Sequence, residues 1–163
     1  RWCEPDYNGG APVLEYEVEL AGPPEYVRNL VHKNKETECT ATNLSPGCEY
    51  AFTVRAVNRI GPGQWSDQLK VTSGAAPPDV PSPLKTACKS PFHIAVDWEE
   101  PPSNGAPIQE YKLEVSTNNS EDFHLVYQGP DNYHDVKGLN PFTTYYFRVQ
   151  ACNSAGLYDF ILF

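Results

Sequence analysis

The residue types that most often bind metals or act as nucleophiles, histidine and cysteine, are scattered along this sequence. Its 163 residues include 4 His and 5 Cys. No Cys-x-x-Cys or His-x-x-x-His spacing brings two of them together as zinc ligands require. A serine nucleophile would need a turn such as Gly-x-Ser-x-Gly beside a base, and this pattern is also absent. We therefore expect no bound metal, no cofactor and no nucleophilic catalysis.

Two further patterns carry residues used in catalysis, and both fit a structural role better. Glu99 and Glu100 are adjacent carboxylates, but neighbouring residues of a strand point to opposite faces, so they cannot converge on one substrate atom. The glycines of Gly9-Gly10 and 61–63 lack the lysine and the following helix of a phosphate-binding loop, and they suit turns instead. We expect the protein not to be an enzyme and to have no small-molecule substrate.

Composition and charge narrow the class of partner. The chain has 12 Lys and Arg against 21 Asp and Glu, a formal net charge of −9. Nucleic acids are bound chiefly by clustered basic residues, so a nucleic-acid ligand is not expected. With 16 Pro and 11 Gly, the chain is rich in turn formers, which favours β-structure over helices. No segment approaches the roughly 18 consecutive apolar residues of a membrane helix, and the N-terminus has no signal-peptide pattern.

The elements that would position any site belong to an internal repeat. Residues 44–54 match residues 139–149 at an offset of 95, and Glu15 to Leu20 match Glu110 to Val115 at the same offset. Trp2 matches Trp98 at an offset of 96 because the first copy has one extra glycine. A period of this length is that of a small autonomous domain.

Each copy contains alternating apolar and polar residues, as in the run from Tyr50 to Ala56, which is the pattern of a half-buried strand. Several short strands separated by turns predict an all-β class with two tandem β-sandwiches. In a sandwich, the inward residues of two facing sheets form one core. We therefore predict these structural core residues: Trp2, Tyr16 and Tyr50 in the first copy, and Trp98, Tyr111 and Tyr145 in the second.

The second copy carries a set of motifs in one order, and the first copy repeats it. The motifs are Trp98 followed by Pro101-Pro102 and Gly105, then Ile108-x-x-Tyr111-x-Leu113, then Leu139-x-Pro141-x-Thr143-x-Tyr145-x-Phe147-x-Val149. This set resembles a fibronectin type III repeat. The resemblance implies immunoglobulin-like sandwiches of about seven strands. It also implies that Tyr50 and Tyr145 form tyrosine corners, in which the hydroxyl bonds back to nearby backbone.

The ends of the two copies differ. Residues 1–73 form a first module without its first strand, because the copy opens at Trp2. Residues 74–83 form a Pro-rich linker and the start of the second module, with the boundary near Gly74. Residues 84–163 form a second module that lacks most of its last strand. We expect a fragment or a truncated isoform of a larger protein.

Cysteines and sequons give opposite indications of compartment. We predict free, mainly structural thiols, since Cys3 points outward and no inter-sheet pair is evident; free thiols suit a reducing compartment. The sequons at Asn43 and Asn118 would instead be glycosylated in an extracellular protein, Asn118 being better placed in a loop.

Two functions remain open at this point. The first is a protein-interaction and spacer module, with loops or sheet edges contacting an unidentified protein. The strands around Trp2 and Trp98 are similar to those of the fibronectin type III domain-containing protein 3 family. That resemblance implies a long array of repeats on a C-terminal membrane anchor outside this chain, in the endomembrane system and facing the cytosol. The alternative is an extracellular cell-adhesion or receptor segment.

Overall fold

The protein consists of β-strands and irregular segments. The computed structural model describes residues 1–118 and 122–158, and no helix is found among them. Two compact units are present, unit 1 spanning Arg1–Gly74 and unit 2 beginning at Ala75. The predicted all-β class is confirmed, and every strand pair in the described residues is antiparallel.

Unit 1 contains one sheet of five strands in its described residues. The central strand β3 pairs with β1 on one side and with both β4 and β5 on the other, while β2 forms the outer edge beside β1. Tyr16 and Val18 alternate with Glu17 along β1, which places the two apolar residues on the core face. The strands are β1 Val13–Ala21, β2 Asn29–Asn34, β3 Glu49–Asn58, β4 Gly61–Pro62 and β5 Leu69–Thr72.

The layer that faces this sheet is irregular. Residues 1–12 and 35–48 contain no strand, so the strand expected at Trp2 is replaced by an irregular segment. One backbone hydrogen bond, from the Trp2 N–H to the Thr37 carbonyl at 3.0 Å, joins the two segments of this layer. The Trp2 indole still reaches the core, where it packs edge-on against Tyr16 with ring centroids 5.7 Å apart.

Unit 2 contains two facing sheets. One has the order β10-β7-β6 and the other β12-β11-β8-β9. Their inward residues form a single core around Trp98, Leu113 and Val149, each at most 2% exposed. The strands are β6 Leu84–Ser90, β7 His93–Trp98, β8 Glu110–Ser116, β9 His124–Gly129, β10 Tyr133–Lys137, β11 Tyr146–Asn153 and β12 Gly156–Leu157.

The surroundings of Trp2 and Trp98 differ between the units. In unit 2, β6 pairs with β7, the strand that carries Trp98, from Leu84 to Ser90. In unit 1, the Trp2 segment contacts the Thr37 segment through a backbone hydrogen bond, and residues 1–12 and 35–48 form no strand ladder. Strand β12 pairs with the end of β11 as β4 pairs with the end of β3 in unit 1. The prediction that unit 2 lacks most of its last strand concerns residues 159–163 and lies outside the described residues.

Candidate functional site

The two predicted corner tyrosines each bond to backbone five residues upstream. The Tyr50 hydroxyl accepts the Ser45 N–H at 2.7 Å, and the Tyr145 hydroxyl accepts the Asn140 N–H at 2.8 Å. Tyr50 is buried, whereas Tyr145 is half-buried. Each bond links the turn to the start of the long strand that follows it, so these two tyrosines have a structural role.

The remaining predicted core aromatics lie in the same arrangement in both units. Trp98 contacts Tyr111 edge-on at 5.5 Å, as Trp2 contacts Tyr16. Trp2 is half-buried, and the other three are almost fully buried. Burial raises the pKa of the Tyr16 and Tyr111 phenols. The two phenols therefore stay neutral, and all four aromatic side chains pack the cores of their units.

An ion-pair ladder crosses the outer face of the unit 1 sheet. Glu17 on β1 accepts hydrogen bonds from Lys33 at 2.8 Å and from the Arg55 Nε at 2.7 Å. Hydrogen bonds from Lys33, and then from Arg55, hold the pKa of the Glu17 carboxyl below its ordinary value. The Arg55 guanidinium also lies 4.3 Å from the centroid of the Trp65 ring. This ladder orders the sheet face and holds Trp65 in place.

An open groove lies beside the ladder on unit 1. We call it the unit 1 groove; its volume is about 600 Å³. Its lining includes Trp2, Tyr7, Asn8, Asn58, Gly61 and Trp65.

The residues that could have supported catalysis or metal binding do not converge. Across residues 1–118 and 122–158, no group of three His, Cys, Asp or Glu side chains is placed to hold a metal ion. Glu99 and Glu100 are exposed after the end of β7, and Glu99 forms an ion pair with Lys85 at 3.1 Å. His93 lies 3.2 Å from Asp135 as an isolated pair.

The five cysteines all lie in the described residues, and each is a free thiol there. Cys3 and Cys88 are exposed, while Cys39, Cys48 and Cys152 are partly buried. The Cys48 thiol contacts the Pro46 carbonyl at 3.4 Å within the first tyrosine corner.

The two sequon asparagines are both exposed. Asn43 lies in a turn with φ 58°, just before the first tyrosine corner. Asn118 follows β8, and its N–H is bonded to the Ser116 hydroxyl at 3.1 Å. The rest of the second sequon, residues 119 and 120, lies outside the described residues.

Sequence reasoning missed the unit 1 groove and the stacking of Arg55 on Trp65. The asparagines and glycines of the groove lining look like ordinary turn residues in the sequence. No pattern in the sequence pairs Arg55 with Trp65, because the contact depends on the path of the chain between β4 and β5.

The architecture defines the class of protein as a tandem array of immunoglobulin-like β-sandwich modules. The sequence matches the fibronectin type III domain family over residues 1–72 and 79–160. The chain belongs to this family, which confirms the resemblance inferred from its motifs. No helix in the described residues is both long and apolar enough to cross a membrane.

Curated relatives include the protein named fibronectin type-III domain-containing protein 3A. The Homo sapiens protein is 38% identical over 156 residues, covering 96% of this chain and 13% of its own length. Homo sapiens neogenin is 36% identical over 140 residues, covering 81% of this chain and 9% of its own length. The chain therefore spans about one-seventh or less of the curated relatives it matches.

A solved structure of tandem domains supports the fold, and a second one is similar in sequence. A crystal structure of titin domains covers 88% of this chain and 50% of its own, at 25% identity and a TM-score of 0.50. The solution structure of the sixth fibronectin type III domain of human fibronectin type III domain containing protein 3 is 40% identical. It covers 54% of this chain and 82% of its own, with a TM-score of 0.47.

Proposed function

We propose that this chain is a non-catalytic protein-interaction and spacer segment of a larger, membrane-anchored multi-repeat protein. The observation that carries the proposal is the pair of tandem fibronectin type III modules, a domain type shared with fibronectin type-III domain-containing protein 3A and matched in neogenin. Exposed aromatic side chains such as Tyr7, at 79% exposure, are the residues that most often anchor protein interfaces. The tandem repeat supports the spacer role, since it joins two modules through a Pro-rich segment.

Site-specific photo-crosslinking tests this function directly. A benzophenone amino acid replaces Tyr7 in the groove, or Tyr133 on unit 2 as a control at a position 56% exposed. After irradiation in cells, we expect discrete protein adducts from position 7 that are absent from position 133. Identical adduct patterns at both positions, or no adduct at either, would refute a specific interaction role.

The proposed location is an endomembrane anchor with these modules facing the cytosol. The free thiols, two of them exposed, support a reducing compartment. The similarity to fibronectin type-III domain-containing protein 3A supports membership of a long multi-repeat protein.

The second candidate is a segment of an extracellular adhesion or receptor protein. Exposure of Asn43 and Asn118 favours it, as does the similarity to neogenin. Glycosidase treatment combined with thiol labelling of the full-length protein in cells separates the two. A glycosidase-sensitive shift with blocked thiols would establish the extracellular reading, whereas labelled Cys3 without a glycan would establish the cytosolic one.

A further inference from the structure

We infer that, within residues 72–80, all of which the structure describes, Ala75 is the single joint between unit 1 and unit 2. Hydrogen bonds assign the residues on either side of Ala75 to one unit or the other. This inference rests on the proposed spacer function and specifies the joint on which that function depends.

Unit 1 holds the chain as far as the peptide plane between Gly74 and Ala75. The Ser73 N–H donates to the Cys48 carbonyl at 2.9 Å, and the Ser73 hydroxyl accepts the Cys48 N–H at 3.0 Å. The Gly74 carbonyl accepts the Gly47 N–H at 2.9 Å. Because a peptide group is planar, this last bond also sets the direction of the Ala75 N–H.

Unit 2 holds the chain from the next peptide plane onward. The Ala76 N–H donates to the Asn104 carbonyl at 2.9 Å, and the Asn153 side-chain amide donates to the Ala76 carbonyl at 2.9 Å. The Asn104 side-chain amide donates to the Pro77 carbonyl at 2.8 Å. The Ala75 carbonyl shares a plane with the Ala76 N–H, so unit 2 sets its direction.

The Pro-rich segment 76–81 is bound to unit 2 along its length. Pro78 and Pro81 are less than 2% exposed, and the Asp79 N–H donates to the Pro102 carbonyl at 3.0 Å. Each proline also has a fixed φ angle, which removes one backbone rotation. The free rotation expected of a linker is therefore missing from this segment.

Ala75 itself is exposed, and no hydrogen bond to it is found in the described residues. Since both adjoining peptide planes are held, the backbone rotations that remain are the φ and ψ angles of this residue. The β-carbon of alanine limits these angles to a few allowed regions, which glycine would widen. A joint of two restricted angles keeps the reach of a spacer more constant than a flexible linker does.

Residual dipolar couplings measure how far unit 2 follows unit 1. A lanthanide tag on the exposed thiol of Cys3 aligns unit 1 directly, in a chain that carries Cys88→Ser to remove the other exposed thiol. Ala75→Gly is expected to reduce the alignment transmitted to unit 2, because glycine reaches more backbone conformations. Ala75→Pro is expected to increase it, because proline fixes φ and the Ala75 N–H has no hydrogen bond to lose.

Gly74→Ala is the matched control at the adjacent residue. A β-carbon at Gly74 would meet no atom within 4 Å, so the substitution is tolerated. Glycine has the widest backbone freedom of any residue, but the Gly74 carbonyl is bonded within unit 1. We therefore expect Gly74→Ala to leave the transmitted alignment unchanged.

Backbone order parameters test the two sides of the joint. In the wild type, the N–H groups within residues 73–80 are expected at about 0.85, the value of rigid backbone. Asn104→Asp keeps the side-chain shape but replaces the amide donor to the Pro77 carbonyl by a carboxylate. We expect the order parameter of Ala76 to fall below about 0.6 in this variant. Asn8→Asp, at the repeat counterpart in unit 1, leaves the order parameter of Ala76 unchanged.

Three results would overturn the inference. Order parameters below about 0.6 from Ala75 to Val80 in the wild type would show a flexible linker. An effect of Gly74→Ala equal to that of Ala75→Gly would place the joint at Gly74, and no effect of Ala75→Gly would place it elsewhere. Crosslinking from position 7 is independent of these measurements. Discrete adducts together with a flexible linker would retain the interaction function and remove this joint alone.

Discussion

Replacing Tyr145 with phenylalanine tests whether the tyrosine corner stabilises unit 2. The substitution keeps the ring and removes only the hydroxyl, which accepts the Asn140 N–H at 2.8 Å. Asn140 is exposed, so water can replace the lost acceptor and the desolvation penalty is small. The expected cost is therefore that of one net hydrogen bond, about 1 kcal/mol. For a domain of this size, 1 kcal/mol lowers the melting temperature by about 4–8 °C.

Urea unfolding followed through the Trp98 indole signal measures this cost. Trp98 is the only tryptophan of unit 2, the other two being Trp2 and Trp65, so unfolding of unit 2 is observed separately. Tyr133→Phe is the matched control at an exposed tyrosine, and its free energy of unfolding stays within about 0.5 kcal/mol of the wild type. If Tyr145→Phe is indistinguishable from Tyr133→Phe, the corner bond contributes nothing and the reasoning is wrong.

Unit 1 provides an internal check on the same argument. There the corner has a further tie, because the Ser73 hydroxyl donates to the Ser45 carbonyl at 2.6 Å and accepts the Cys48 N–H at 3.0 Å. Tyr50→Phe is therefore expected to cost less in the presence of Ser73 than in a Ser73→Ala background. A double-mutant cycle should give a coupling of about 0.5 kcal/mol or more.

Three other predictions follow from single residues. The pKa of Glu17 is lowered in the folded state, so the ionised carboxylate contributes to the free energy of unfolding above about pH 4.5, and this contribution is lost as the pH falls through the folded pKa. The urea midpoints of the wild type and Glu17→Gln should therefore differ at pH 7 and converge near pH 2. Phe142→Gly should raise the stability of unit 2 by about 0.5–1 kcal/mol in urea unfolding, since Phe142 is fully exposed with φ 55° where Gly47 has φ 65°. Leu113→Ala, at a side chain 0% exposed, should cost about 2–5 kcal/mol by the same assay, whereas Leu30→Ala, at 52% exposure, should stay within about 0.5 kcal/mol.

The strands and turns of this fold were predictable because each is specified by local pattern. The alternation from Tyr50 to Ala56 gives β3, and a strand pattern needs only the residues within it. The strand at Trp2 was wrongly expected, although Trp2 and Trp98 have matching sequence contexts. The strand at Trp98 pairs with β6 on one side and β10 on the other. A local pattern cannot report which partner strands a segment meets.

The unit 1 groove could not be predicted for a related reason. Its lining residues Asn8 and Asn58 look like ordinary turn residues, and their sequence signal is the same as that of Asn104 and Asn153. The stacking of Arg55 on Trp65 joins a residue of β3 to one that follows β4. Such a contact between separate elements has no period within a strand, so a pattern read along the chain cannot report it.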